Sequence, residues 1–456
     1  MAIPPRHSRT VLVESLRKLL RRNAAGNIVN LLSKIRPGDV PALFKELTER
    51  EKPAVFQAVA GRDPGLAAAI LPEFHVEPGL AYLEHLQPPV QVTVLKAMTP
   101  DDAAEFLSER TEDQRESLLE SMQGREAREV RYLLEYGEET AGRIMSPAFF
   151  AVQETLTAGE AVTALQSRGD DVEVPFYVYV LDQRRHLVGV LSLRQLLLAA
   201  RDTPVREFMA TDIVSVTAET DQEEVARVVS RYDFLAVPVV DDQHRLVGVI
   251  AIDEVIDVLK EEATEDVYRL AGTSEDERIS KSILRAVVLR IPWLLAAFFG
   301  GLLASRVINH FQGVLAQMVV LAGFIPVILG MGGNIGTQCS TTIVRGLATG
   351  RIEVREMWAV LFREVRIALI LGLLYGGLLA LTSWLVLDIP SDLGALVGFS
   401  LLCSMLIAAT IGSLVPMVLR RMGVDPAVAT GPFITTSVDI LATLVFFQLA
   451  TRLVLT

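Results

Sequence analysis

Two sets of carboxylates are the residues of this sequence best placed to do chemistry. The first is a single acid. Asp439 lies inside the otherwise apolar segment from Gly431 to Ala450, which is long enough to cross a membrane. A charged side chain at that depth costs roughly 2.5–3.5 kcal/mol unless it faces water, protein or an ion. Two readings follow. Asp439 is either a buried acid satisfied by the nearby hydroxyls of Thr435, Thr436, Ser437 and Thr443, or part of a cation pathway.

The second set is a run, Asp253-Glu-Val-Ile-Asp-Val-Leu-Lys-Glu-Glu-Ala-Thr-Glu-Asp266. On a helix, Asp253, Asp257 and Glu261 recur every four residues, and Glu254, Glu262, Glu265 and Asp266 crowd the neighbouring faces. Like charges at this spacing destabilise a helix by a few tenths of a kcal/mol each. A solvated helix face accounts for many such runs. The alternative is a divalent cation that draws the acids together. Oxygen ligands alone suit Mg²⁺, Ca²⁺ or Mn²⁺ rather than zinc or copper.

The elements that must position these acids divide the chain in two. The 456 residues carry a net charge of −12, but residues 282–456 hold 11 Lys and Arg against 7 Asp and Glu. The acidity therefore belongs to the first 281 residues, and the apolar excess to the rest. An acidic balance argues against nucleic acid as a partner and for metal cations. The polar start, Met-Ala-Ile-Pro-Pro-Arg, is unlike a signal peptide, so the soluble part is expected to stay in the cytoplasm. The two cysteines, Cys339 and Cys403, suggest neither a disulfide framework nor a zinc site. There is no P-loop, no Gly-x-Ser-x-Gly and no His-Glu-x-x-His, so an enzyme is not expected.

Five apolar stretches read as spans, at about 284–307, 314–338, 358–387, 393–419 and 429–454. Arg345, Arg351, Arg355, Arg420 and Arg421 fall in the 2–3 and 4–5 connections, whereas the 3–4 connection offers Asp388 and Asp392. The positive-inside rule then sets the N-terminus inside and the C-terminus outside. Five helices with one acid make a thin ion site, so a symmetric homodimer with two Asp439 side chains is expected. The segment Pro326-Val-Ile-Leu-Gly-Met-Gly-Gly-Asn-Ile-Gly-Thr-Gln338 is expected to end the second span as weakened helix, with Gly333, Asn334 and Gln338 lining a water-filled path. Small-residue helix packing is the competing explanation of its glycines. Gly431-Pro432 is expected to break the entry to the fifth span.

The soluble half contains a tandem repeat. Val178-Tyr-Val-Leu-Asp-Gln-Arg-Arg-His-Leu-Val-Gly-Val-Leu191 returns 59 residues later as Val237-Pro-Val-Val-Asp-Asp-Gln-His-Arg-Leu-Val-Gly-Val-Ile250. Each unit reads as helix, strand, turn at the Asp pair, strand, helix. The pair resembles cystathionine-β-synthase (CBS) domains, which often sense small ligands. Nucleotide-binding versions pair a Ser or Thr with an Asp two residues on. Here Ser192 is followed by Arg194, and Ala251 by Asp253, which argues against adenosine nucleotide. Residues 10–130 read as short amphipathic helices punctuated by Arg36-Pro-Gly-Asp39, Arg62-Asp-Pro-Gly65, Thr99-Pro-Asp-Asp102 and Arg110-Thr-Glu-Asp113, a small α-superhelix.

Taken in order, and above all in the Gly-rich motif Pro326–Gln338, the chain resembles the bacterial MgtE magnesium channels. It departs at Thr337, where the family commonly has Asn. The resemblance implies a multidomain fold: a helical N domain (1–130), two CBS α/β domains (131–203 and 204–261), a connecting plug helix (262–281), and an all-α membrane domain with five helices per protomer (282–456). It implies a homodimeric Mg²⁺ channel of the bacterial inner membrane, surrounded by lipid. It places the pore at Asp439, in the setting Gly-Pro-Phe-x-Thr-Thr-x-x-Asp that includes Thr435 and Thr436. It matches the family's sensing acids to Asp221, Glu223, Asp233, Glu254, Asp257, Glu262, Glu265 and Asp266.

The mechanism this implies is closure by cytoplasmic Mg²⁺ bound among those acids, and opening when Mg²⁺ falls and the acids repel. Mg²⁺ gives up its water reluctantly, so paired Asp439 carboxylates would hold a largely hydrated ion. A coupled secondary transporter of Mg²⁺, Mn²⁺ or Co²⁺ is the alternative, with Asp439 as proton carrier. A membrane-anchored sensor whose spans merely dimerise is a third reading.

Overall fold

A computed structural model describes residues 6–168, 176–273, 283–429 and 431–455. The last part of the expected plug helix, beyond Thr273, lies outside them. The chain divides into two compact units, residues 1–259 and 260–456.

The first unit opens with short helices, from Arg6–Arg21 to Gly124–Leu134. Their brevity follows from the punctuation in the sequence. Asp63 caps the helix Pro64–Ile70 by accepting the Leu66 N–H at 3.0 Å, and Thr99 caps Pro100–Ser108 by accepting the Asp102 N–H at 3.4 Å. Proline follows each cap, where its missing N–H costs nothing. Phe44, Phe56, Phe74 and Tyr82 interlock with ring centroids 5.0–5.7 Å apart. The same buried cluster runs on through Met145 into Val225, Val237 and Ile250 of the second CBS repeat.

Each repeat builds a three-stranded sheet. β1 (Ala151–Gln153), β2 (Tyr177–Leu181) and β3 (Leu187–Ser192) form the first, and β4 (Val216–Thr217), β5 (Ala236–Val240) and β6 (Leu246–Ala251) the second. In each, the first pair is parallel and the second antiparallel. The short strands β1 and β4 are additions to the expected pattern. The hairpin turns form at the expected acids. Asp182 accepts the N–H groups of Arg184 and His186, and Asp241 those of Gln243 and Arg245, at 2.8–3.0 Å. Arg185 and His244 adopt positive φ there.

The repeats exchange their entry segments. Ser146, entering the first repeat, pairs with Val249 of β6, and Ala210, entering the second, pairs with Val190 of β3. Gly248 makes room for Met145, and Gly189 for Met209.

Among the described residues, the second unit holds five helices long and apolar enough to span a membrane: Ile283–His310, Val319–Ala348, Val354–Leu385, Ser391–Arg421 and Pro432–Arg452. The second corrects the sequence expectation. The Gly-rich motif does not end this span but begins its regular helix, Ile325–Ala348, with Pro326 in the first turn and Arg345 in the last. Gly332 and Gly336 are contact points rather than breaks. Gly332 abuts Ser404 and Val438, and Gly336 abuts Ile434, so the second, fourth and fifth spans approach closely. Gly376 and Gly398 do the same for the third and fourth. At the fifth span the expected break is present: Gly431 has φ +51° and the helix begins at Pro432.

Candidate functional site

Asp439 lies eight residues beyond Gly431, about 12 Å along the fifth span at 1.5 Å per residue. It is half-buried, and among the described residues its carboxylate accepts no hydrogen bond. Three of the four hydroxyls that could have satisfied it are used elsewhere. Thr435 donates to the Gly431 carbonyl at 3.1 Å, Thr436 to Pro432 at 2.7 Å and Ser437 to Phe433 at 2.8 Å. Thr443 is buried with its hydroxyl unpaired. The reading of Asp439 as an acid neutralised by local hydroxyls is therefore not what the geometry contains.

The two threonines point to different neighbours. Thr435, one turn before Asp439, has its methyl 3.8 Å from the position a Cβ on Gly333 would take. Gly333 and the Asp439 face of the fifth span thus adjoin. Thr436 packs instead on Gly300 of the first span. Asn334 and Gln338 lie on the exposed stripe of the second span. Thr337 donates to the Gly333 carbonyl at 3.0 Å.

The acids of the soluble unit are held by local structure. Asp221 caps the helix Gln222–Tyr232 by accepting the Glu223 N–H at 2.8 Å, and Glu223 pairs with Arg227. Asp233 ends that helix at φ +53°. Glu254 and Asp257 stand on the first turns of the acidic helix, Ile252–Leu270. Glu254 faces acids that sequence reasoning did not select, Asp101 and Asp102, with Asp253 and Glu105 near. Burial, together with Asp101 and Asp102, pushes the Glu254 carboxyl up to about 9. Burial and Asp101 push Asp102 up to about 6. Asp101 is also raised by burial, and its Oδ1 is buried with no hydrogen-bond partner. The signal for Asp101 and Asp102 was present in Thr99-Pro-Asp-Asp102, but only their capping role could be read there. Among the described residues, no three acids, imidazoles or thiols are already gathered closely enough to hold a metal ion.

In the second unit the acidic helix ends beside the start of the fifth span. Arg269 pairs with both Glu265 and Asp425. A Cβ on Gly431 would lie 3.1 Å from the Leu270 carbonyl, and one on Gly272 would lie 3.5 Å from Pro432. Glu262 and Asp266 are half-buried on the same helix. In the first CBS repeat, the Ser192 hydroxyl is engaged in a capping box with Gln195.

A CBS pair followed by five helices long and apolar enough to span a membrane, one of them carrying an acid, defines a multi-pass membrane protein with a soluble N-terminal region. Three family models match: the MgtE intracellular N domain at residues 35–139, the CBS domain at 141–202 and 205–261, and the MgtE divalent cation transporter at 325–449. The magnesium transporter MgtE of Bacillus subtilis is 34% identical over 96% of both chains. That of Thermus thermophilus is 35% identical over 96% of this chain and 98% of its own. The chain belongs to the MgtE family. Among solved structures, the cytosolic domain of the Mg²⁺ channel MgtE in complex with ATP is 34% identical with a TM-score of 0.51, covering 54% of this chain and 99% of that one. The soluble part of a magnesium transporter is 30% identical with the same score, over 56% and 99%.

Proposed function

We propose that this protein is a Mg²⁺ channel of the bacterial inner membrane, acting as a homodimer and closed by cytoplasmic Mg²⁺. The observation that carries the reading is Asp439: a half-buried carboxylate within the fifth span, with the hydroxyls of Thr435, Thr436 and Ser437 committed to helix carbonyls. An acid in that setting is matched by a cation. Two copies of Asp439 accept hydrogen bonds from the water shell of the ion. Gly333, Thr435 and Thr436 form the adjoining wall, and Asn334 and Gln338 offer amides to the same shell. The membrane potential, worth about 2.3 kcal/mol per charge per 100 mV, drives entry with the N-terminus inside and the C-terminus outside.

The regulatory acids fit the same ion. Glu254, Asp101 and Asp102 offer only oxygen and leave one buried oxygen unpaired, and burial together with their mutual repulsion pushes Glu254 up to about 9. A hard dication relieves that crowding. Asp221, Glu223, Asp233 and Asp257 in the soluble unit and Glu262, Glu265 and Asp266 on the acidic helix complete the proposed sensing set. The closed state then holds Mg²⁺ more tightly than the open one, and falling Mg²⁺ shifts the population towards opening. In this reading the domain limits are 1–130, 131–203, 204–261, 262–281 and 282–456. Adenosine nucleotide has no assigned role here, because Ser192 is engaged in capping and Arg194 replaces the acid. ATP titration of the soluble region tests that point against the ATP-bound relative.

The test is Mg²⁺ flux into proteoliposomes together with patch recording. Unitary Mg²⁺ currents abolished by Asp439→Ala support the channel. Saturating flux strictly coupled to protons, without unitary currents, replaces it with a secondary transporter.

A further inference from the structure

A second acid lies at membrane depth. Glu364, in the third span, is only 7% exposed. Cys339 of the second span, itself 6% exposed, donates its thiol to Glu364 Oε2 at 3.6 Å. Ser413 of the fourth span lies beside the same thiol and is fully buried. Three spans therefore meet at this thiol–carboxylate pair. An ionisable group inside a membrane bundle is functional by default, and its partner indicates the role.

The partner here stands on the helix proposed to carry the ion-facing amides. Cys339 follows Asn334 by five residues, which at about 100° per residue places it about 140° round the helix, on the side away from Asn334 and Gln338. On that side the second span is held by apolar contacts of Ile335 and Cys339, with a hydrogen bond from Ser404 to the Ile328 carbonyl at 3.2 Å nearer its start. Gly336 meets Gly412 backbone to backbone, a contact that brings the helices close without fixing rotation. A directional hydrogen bond one turn along supplies what the glycines lack.

We propose that Glu364 is a positioning residue for conduction: through Cys339 it fixes the rotation of the second span and hence the placement of Asn334 and Gln338. Glu364 touches no permeating ion in this assignment. The inference rests on the proposed channel reading, in which that face of the second span meets the ion.

The experiment compares Mg²⁺ flux in proteoliposomes for wild type, Glu364→Gln, Glu364→Met, Glu364→Asp, Cys339→Ala and the Glu364→Met/Cys339→Ala double variant, with Asp439→Ala alongside. Glutamine keeps an acceptor at the same reach, methionine removes it, and aspartate withdraws it by one methylene. Glu364→Met is expected to lower flux per channel by about five-fold and raise the half-saturating Mg²⁺ concentration. Glu364→Asp and Cys339→Ala should do the same, the double variant should be no worse than either single, and Glu364→Gln should stay within about two-fold of wild type.

Losses that add in the double variant, or wild-type flux in Glu364→Met, overturn the proposal. Where Glu364→Met fails to fold, the contrast between Glu364→Gln and Glu364→Asp decides: equal flux in the two overturns it. Wild-type flux that Asp439→Ala leaves intact is a separate result, and it refutes the channel reading itself.

Discussion

Arg269, one residue before the end of the acidic helix, forms an ion pair with Asp425 in the connection that leads into the fifth span. Asp425 is in turn fixed by accepting the Ala427 N–H at 2.8 Å. Six residues after Asp425 the chain reaches Gly431, against which the Leu270 carbonyl packs. The acidic helix is thus attached at two points to the start of the helix that carries Asp439. Arg269 also pairs with Glu265, so one guanidinium joins a proposed sensing acid to the entry of the fifth span.

That attachment predicts a coupling phenotype. Partly exposed ion pairs contribute about 0.2–1 kcal/mol, so Arg269→Ala should raise the Mg²⁺ concentration needed for closure by up to about five-fold and leave maximal flux unchanged. The exchange Arg269→Asp with Asp425→Arg should restore much of the response. Patch recording over a series of internal Mg²⁺ concentrations checks it, and an unchanged closure curve for Arg269→Ala removes the pair from gating.

Neutralising Asp439 should remove the charge that attracts the ion while preserving the helix. Asp439→Asn is expected to reduce Mg²⁺ flux at least about ten-fold, corresponding to about 1.4 kcal/mol or more of lost attraction. Because Thr435, Thr436 and Ser437 bond to their own helix, the variant should fold and dimerise normally. Flux and size-exclusion profiles measured on one preparation separate the two effects.

Much of this layout was legible because it is written in local patterns. Hydropathy gave the five spans, Asp182 and Asp241 gave the hairpin turns, and Gly431-Pro432 gave the start of the last span. What escaped reading depended on partners far away in sequence. The glycines at 332 and 336 looked like helix breakers. They are tolerated because Ser404, Ile434 and Val438 occupy the space a side chain would take, and packing of this kind offsets the roughly 1 kcal/mol per glycine that a helix loses relative to alanine. Asp101 and Asp102 were read only as part of a break between helices, and nothing local indicated that Glu254, some 150 residues later, would face them. Glu364 likewise takes its partner from another helix, Cys339 of the second span, 25 residues away in sequence.

The crowding at Glu254 predicts a pH dependence with a definite sign. Its folded-state carboxyl is raised to about 9 from an ordinary 4.5. A raised acid contributes stability that is fully present below its unfolded value and is lost as pH rises through the folded one. Without divalent cations, the melting temperature of the soluble region should therefore fall between about pH 5 and pH 9. Asp102, raised to about 6, adds to the lower part of that window. Glu254→Gln should flatten the slope, and Mg²⁺ should raise the melting temperature most at the alkaline end. A thermal melt series with EDTA or with Mg²⁺ measures this, and a flat metal-free profile would falsify the crowding.

The repeat itself offers the last prediction. Leu-Val-Gly-Val occurs in both CBS units, and the reason for its glycine is the exchange of entry segments. A Cβ on Gly248 would meet the Met145 side chain down to its Cβ at 2.9 Å, and one on Gly189 would meet that of Met209 at 3.1 Å. The methionines are flexible at their tips but anchored at their Cβ atoms. Met145 is fully buried, and its neighbour Ser146 is paired to Val249 through both backbone bonds, at 2.9 and 3.0 Å. Gly248→Val should therefore cost about 1–3 kcal/mol, as overpacking does in a filled core. Met145→Ala in the same chain should recover part of that loss by vacating the space, although alone it should destabilise by about 2–5 kcal/mol. Urea unfolding of the four combinations gives the coupling directly. A favourable interaction energy between the two substitutions fixes the exchanged segment as the cause, whereas simple additivity would mean that the glycine serves the strand and not its visitor.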